Sequence, residues 1–136
     1  MKKNNLSKAY ATDKNLETEG KWFEITEDVS FKMKRMGGAN AHKLAEIRAI
    51  HFKPYARQIA KNTLDKKLQE KLFIRVFVDG CMVDWKGLCD DVGEIEYSKQ
   101  NAMDLFTETP DLFDDVVSLV DDISNYQLEV EDLGNS

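Results

Sequence analysis

The chain has two cysteines, two prolines and two histidines among 136 residues, and each scarcity excludes something. Cys81 and Cys89 are separated by eight positions, which on one helical path is roughly 12 Å and beyond disulfide reach. The fold must therefore rest on its own core, as a domain of this length can, and the thiols read as small apolar groups in a reducing compartment. His42 and His51 have no cysteine or carboxylate partners at ligand spacing, so no metal site is expected. No window approaches eighteen consecutive apolar residues, and no apolar run follows the first lysines. Neither a membrane span nor a secretion signal is expected.

Catalytic patterns are also missing. The Asp-Asp pairs at 90/91, 114/115 and 121/122 lack the alternating acids, central glycine and closing glutamate of a calcium loop. Gly37-Gly38 is not followed by the lysine and hydroxyl of a phosphate loop. Cys81 sits in an apolar run, which raises a thiol pKa and argues against a nucleophile. The expectation is a protein that is not an enzyme and carries no cofactor.

What the chain does have is concentrated between Thr63 and Leu88. Leu64, Leu68, Leu72 and Val76 recur every four residues, while Lys66, Lys67, Glu70 and Lys71 fill the other face, the pattern of an amphipathic helix. From Leu72 the polar face nearly vanishes, as in a helix passing from half-buried to central. A helix from Thr63 to Val83 would be roughly 30 Å long. Asp79-Gly80 between FIRVFV and CMV would also suit a hairpin. The unambiguous turns before Phe73 favour the helix, and the hairpin remains the alternative.

The net charge of −6 hides a division. Residues 1–83 carry 17 Lys+Arg against 10 Asp+Glu, and residues 84–136 carry 2 against 15, so +7 is joined to −13. Either the two halves attract each other as solvated faces of one fold, or they serve two partners. The basic segment 32–75 could neutralise phosphates, but Asp65 and Glu70 interrupt its lysines and no nucleic-acid fold signature is present. Nucleic acid is not expected as a partner.

Taken in order, residues 1–19 are polar and aperiodic and are expected to form a mobile arm. Trp22, Phe23 and Ile25, then Val29, Phe31 and Met33 alternating with Ser30, Lys32 and Lys34, predict a β-hairpin at about 20–36. Asn40 can cap a helix with Leu44, Ile47 and Ile50 facing inward, interrupted near Lys53 by Pro54. Asn62-Thr63 can cap the central helix. Ser98 is expected to cap a helix carrying Ala102, Met103, Leu105 and Phe106. Thr109-Pro110-Asp111 is the clearest helix start, opening a helix with Leu112, Phe113, Val116, Val117, Val120 and Ile123 on one face. The resulting expectation is a mainly α fold: a compact helical domain over 20–126 with a small N-terminal β-hairpin, followed by an acidic tail at 127–136. Its core would contain Trp22, Phe31, Leu72, Val76, Phe77, Trp85, Phe106, Phe113 and Val117.

Three runs, FKMKRMGGAN from Phe31, AIHFKPYARQIAKNTLD from Ala49 and VDWKGLCDDVGEIEYSKQNAMDLFTETPDLFDDVV from Val83, together resemble the tail assembly chaperones of long-tailed (siphovirus-type) bacteriophages and prophages. The likeness covers residues 20–126 and lies in the order of its parts. A strand leads to a glycine- and asparagine-containing turn, a central helix ends in V-x-W-x-G (Val83, Trp85, Gly87), and a capped helix precedes a second one starting at Pro110. Gly80 departs from the pattern, where a better helix former would be expected, and the N-terminal arm does not align.

The resemblance implies a helical, non-enzymatic protein of the host cell cytoplasm, absent from the mature virion. Its partners would be the tape measure protein, whose long apolar helices it would shield, and the tail tube protein. A structural head or tail component and a nucleic-acid-binding regulator are the alternatives. A homo-oligomer is also expected as possible, with Asp114, Asp115, Asp121 and Asp122 of one copy against Lys32, Lys34, Arg35, Arg48 and Arg57 of the next. Those nine are the candidate partner-binding residues.

Overall fold

The computed structural model describes residues 5–128. It corrects the expected mainly α class: the chain is mixed α/β, with helices packed on a three-stranded antiparallel sheet. Strands β1 (Lys21–Glu24) and β2 (Ser30–Met33) form the expected hairpin, and β3 (Met82–Lys86) pairs with β2 on the other side. β3 comes from the stretch expected to finish the central helix. That helix, α5 (Lys66–Gly80), stops at Gly80, and the backbone is extended from Met82. Val83 and Trp85 alternate with Asp84 and Lys86, and this period-two ending outweighs the helical pattern that precedes it. The V-x-W-x-G phrase is thus a strand, and the alternative hairpin at Asp79-Gly80 does not form either.

The sheet's inner face is set by register. Phe23 faces Phe31, which faces Trp85, and Met33 pairs with Met82 after an irregularity between Lys32 and Met33. The ladder skips Val83, so Met82 and Trp85 both point inward although three residues apart. Trp22 is corrected as a core residue: it neighbours Phe23 in a strand, where successive side chains take opposite faces, and it is 39% exposed. The Lys86 ammonium lies 4.4 Å above its ring, a cation–π contact on the outer face.

Against the inner face pack α5, α6 (Lys99–Glu108) and α7 (Pro110–Asp121). Phe31, Leu72, Val76, Phe77, Trp85 and Phe106 are buried, whereas Phe113 and Val117 are half-buried at the edge of the core. Tyr126, in a 3-10 turn after α7, is fully buried, and its hydroxyl donates to the Met33 carbonyl at 3.0 Å. The Trp85 indole donates to the Ile95 carbonyl at 2.9 Å, giving the buried ring its one required partner.

Helix ends use different residues from those expected. Ser98 does cap α6, accepting from Asn101 N at 3.0 Å. α5 is capped by Asp65, which accepts from Leu68 N, and not by Asn62-Thr63. Thr109 makes no side-chain cap for α7; its hydroxyl turns back to the Leu105 carbonyl. Asn40 is spent inside, its amide donating to the carbonyls of Arg35 at 2.8 Å and Gly80 at 3.0 Å.

Helix α3 (Ala41–Phe52) lies on α5 and is followed through a 3-10 turn at Pro54 by α4 (Ala56–Ala60). Leu44 and Ile47 face α5 half-buried, but Ile50, expected inward, is 69% exposed, because α3 meets one neighbour and presents only a narrow stripe to it. The described part of the expected arm, residues 5–19, carries α1 (Leu6–Ala9) and α2 (Lys14–Glu19). α2 is docked: Glu17 is 1% exposed, pairs with Arg35 and accepts from Thr12 Oγ1 at 3.0 Å. A side chain at Gly38 (φ +56°) would collide with that carboxylate, which accounts for a glycine there. Of the expected acidic tail, Gln127 bridges to Thr12 and Leu128 N donates to the Ala11 carbonyl; residues 129–136 lie outside the described residues.

Candidate functional site

A groove of about 980 Å³ opens between α3 and α5 on one side and α6 and α7 on the other. Its floor is apolar. Ile74, Phe77 and Phe106 are buried beneath it, and Met103, Phe113 and Val117 are half-buried along it. Phe77, Phe106 and Phe113 form a closed triangle with centroids 5.3–5.7 Å apart, two of its sides in the favourable edge-to-face arrangement.

Each polar residue lining the groove is exposed, so polarity is confined to the rim. The α3 and α5 bank carries Arg48, Lys67 and Lys71 with one acid, Glu70; the α6 and α7 bank carries Asp104, Glu108 and Asp114. The ion pairs among the described residues are Arg35–Glu17, His42–Glu46, His51–Asp79 and Lys99–Asp79; the last links α5 to α6 outside the groove lining, and none engages a charge of the rim. The division of charge seen in sequence is therefore displayed on facing banks and not consumed by contacts between them. A small-molecule pocket needs a few buried polar groups converging on one point. This groove has none among its described lining residues, and its chemistry suits an amphipathic helix.

α5 and α6 run antiparallel, fixed at one end by Asp79, whose carboxylate meets His51 Nε2 at 2.6 Å and Lys99 Nζ at 3.2 Å. Nearby, burial, helped by the charges of Asp84 and Asp79, pushes the Tyr97 phenol up to about 12; its buried hydroxyl has no partner among the described residues. Burial likewise pushes the Cys81 thiol up to about 12, against a smaller opposing pull from Lys34, so it is an inert core group. Among the described residues no group of three or more His, Cys, Asp or Glu side chains could hold a metal ion, and no helix is long and apolar enough to cross a membrane.

Of the nine residues singled out in sequence, the structure brings only Arg48 and Asp114 to the groove. Arg35 is corrected as a free cation, since it is spent on the buried Glu17. Lys32 and Lys34 are half-buried around β2, and Arg57 is exposed on α4. Asp115, Asp121 and Asp122 are exposed, the last capping the turn that buries Tyr126 through Ser124 N at 2.9 Å. The rim residues missed were Lys67, Lys71, Asp104 and Glu108. Their i,i+4 spacing on two amphipathic helices was the available signal.

Fold and site together define a small mixed α/β domain with an open apolar groove between oppositely charged banks. The family model for the YdaY prophage protein matches residues 39–134, more than half the chain, and the chain belongs to that family. It is a phage or prophage protein, and the matched span contains every groove residue except Met36. No curated protein and no solved structure matches the chain.

Proposed function

We propose that this prophage protein is a tail assembly chaperone, acting by binding alone. It holds apolar helical stretches of the tape measure protein in its groove and helps bring tail tube subunits to them during assembly in the host cytoplasm. The observation that carries this reading is the groove: an apolar floor with charge only at the rim can shield one stripe of a helix while the complex stays soluble. Membership of a prophage family and the likeness of the three sequence runs support it.

Co-expression with the tape measure protein of the same prophage tests the reading. The expected result is a soluble complex that survives gel filtration, with this chain missing from purified particles. A tape measure protein that stays insoluble and uncomplexed would overturn it. Recovery of the chain in finished particles would assign it instead to the structural components.

A further inference from the structure

We propose that the groove reads the direction of the helix it binds: its occupant is an amphipathic α-helix of another protein, with acidic residues along one edge of its apolar stripe and basic residues along the other, and it lies in one orientation only. The inference rests on the groove reading above and adds polarity to it. Turning a helix end for end about the normal of a groove keeps its apolar stripe downward and exchanges its two edges. Two banks of the same sign would be indifferent to that turn. Here one bank offers Arg48, Lys67 and Lys71 and the other Asp104, Glu108 and Asp114. In one orientation every edge meets its opposite, and in the other like charges face each other. Glu70 on the cationic bank reduces the contrast without reversing it.

The rim charges are available for this because none of them is in an ion pair among the described residues: the pair that links α5 to α6, Asp79–Lys99, lies outside the groove lining, and Arg48 only stacks on the Phe52 and Phe73 rings. The groove's ends are distinguishable too. Lys67 in the first turn of α5 and Glu108 in the last turn of α6 mark one end, and the Asp79–Lys99 pair marks the other. A helix held this way is read by its edge charges, so successive stretches of a long partner would be gripped with the same polarity.

Four designed peptides of about 18 residues, sharing one leucine stripe, test the proposal with the whole chain. One carries Glu on the first edge and Lys on the second, one the reverse, one Glu on both edges and one Lys on both. The two mixed peptides are expected to bind with equal affinity, and each same-charge peptide about tenfold more weakly at low salt, since several exposed pairs are exchanged for repulsions. A nitroxide at the peptide N-terminus is expected to broaden resonances at the Lys67–Glu108 end for one mixed peptide and at the Lys99 end for the other. In the Asp104→Lys, Glu108→Lys, Asp114→Lys variant, the peptide with Glu on both edges should become the tightest, and the mixed peptides should lose their fixed direction. Mixed peptides that broaden both ends equally would overturn the directional reading while leaving a helix-binding groove. Absence of binding by all four, or occupation of the groove by a second copy of the chain, would overturn the helix-binding groove as well.

Discussion

Leu44 on α3 occupies the space that a side chain on Gly80 of α5 would need, with its Cδ1 seated against the Gly80 Cα. The glycine that looks like a weak point in the central helix is a site where α3 packs through Leu44 and Ile47, and α3 carries Arg48 to the groove. Gly80→Ala sets two effects against each other. Alanine is the better helix former by about 1 kcal/mol, whereas overpacking a close contact costs about 1–3 kcal/mol. The clash is with a side-chain tip, which Leu44 relieves by turning, so the cost falls at the low end of that range. We expect a net loss of about 1 kcal/mol or less in urea titration, relieved by adding Leu44→Ala. A stabilised Gly80→Ala would show that α3 is loosely held.

Glu17 and Arg35 join α2 to the segment after β2 away from water. Removing one partner leaves a buried charge uncompensated, which costs about 3–5 kcal/mol. Arg35→Met should therefore destabilise far more than the double change Arg35→Met, Glu17→Leu. Equal losses in both, measured by denaturation, would mean that the pair is solvated and that α2 contributes little.

Alkaline pH should weaken the fold. Cys81 ionises near 9.0 when unfolded and at about 12 when folded, and Tyr97 moves from 10.0 to about 12; Tyr126 is also raised, mainly by burial. For acids with a raised folded pKa, the native state holds more protons, so their stabilisation is complete below pH 9 and is lost as pH climbs toward 12. The urea midpoint should begin to fall above about pH 9. Cys81→Ala should remove the earliest part of that fall. A midpoint unchanged between pH 9 and 11 would contradict the burial of these groups.

The same burial separates the two thiols. Cys89 is exposed and Cys81 buried, so a thiol reagent at neutral pH should titrate one cysteine in the native protein and two in denaturant. Rapid modification of both in the native state would place Cys81 outside the core.

How much of this was legible in the sequence varied with range. The hairpin, the Ser98 cap, the start of α7 at Pro110 and the buried face of α5 are local patterns, and local reading reached them. The third strand was missed because only Arg75, Asp79 and Gly80 interrupt the apolar residues from Phe73 to Val83, and so nearly apolar a run carries no clear strand period until Asp84 and Lys86 supply one. Docking of α2 was missed because it depends on Arg35, a partner eighteen residues away whose charge looked free for solvent. At the groove, the division of charge was visible as totals. Which carboxylates and cations face each other depended on the antiparallel packing of α5 and α6, a tertiary fact that spacing does not encode.

The central claim, that the groove is where a partner helix binds, is tested most directly by titration calorimetry of a tape measure fragment against two variants. Met103→Glu puts a charge on the apolar floor, and Ile50→Glu puts the same charge on an apolar residue exposed outside the groove. The account predicts at least tenfold weaker binding for Met103→Glu, with circular dichroism unchanged, and wild-type affinity for Ile50→Glu. Wild-type affinity for Met103→Glu, or loss on Ile50→Glu alone, would contradict it and move the interface to the outer face of α3.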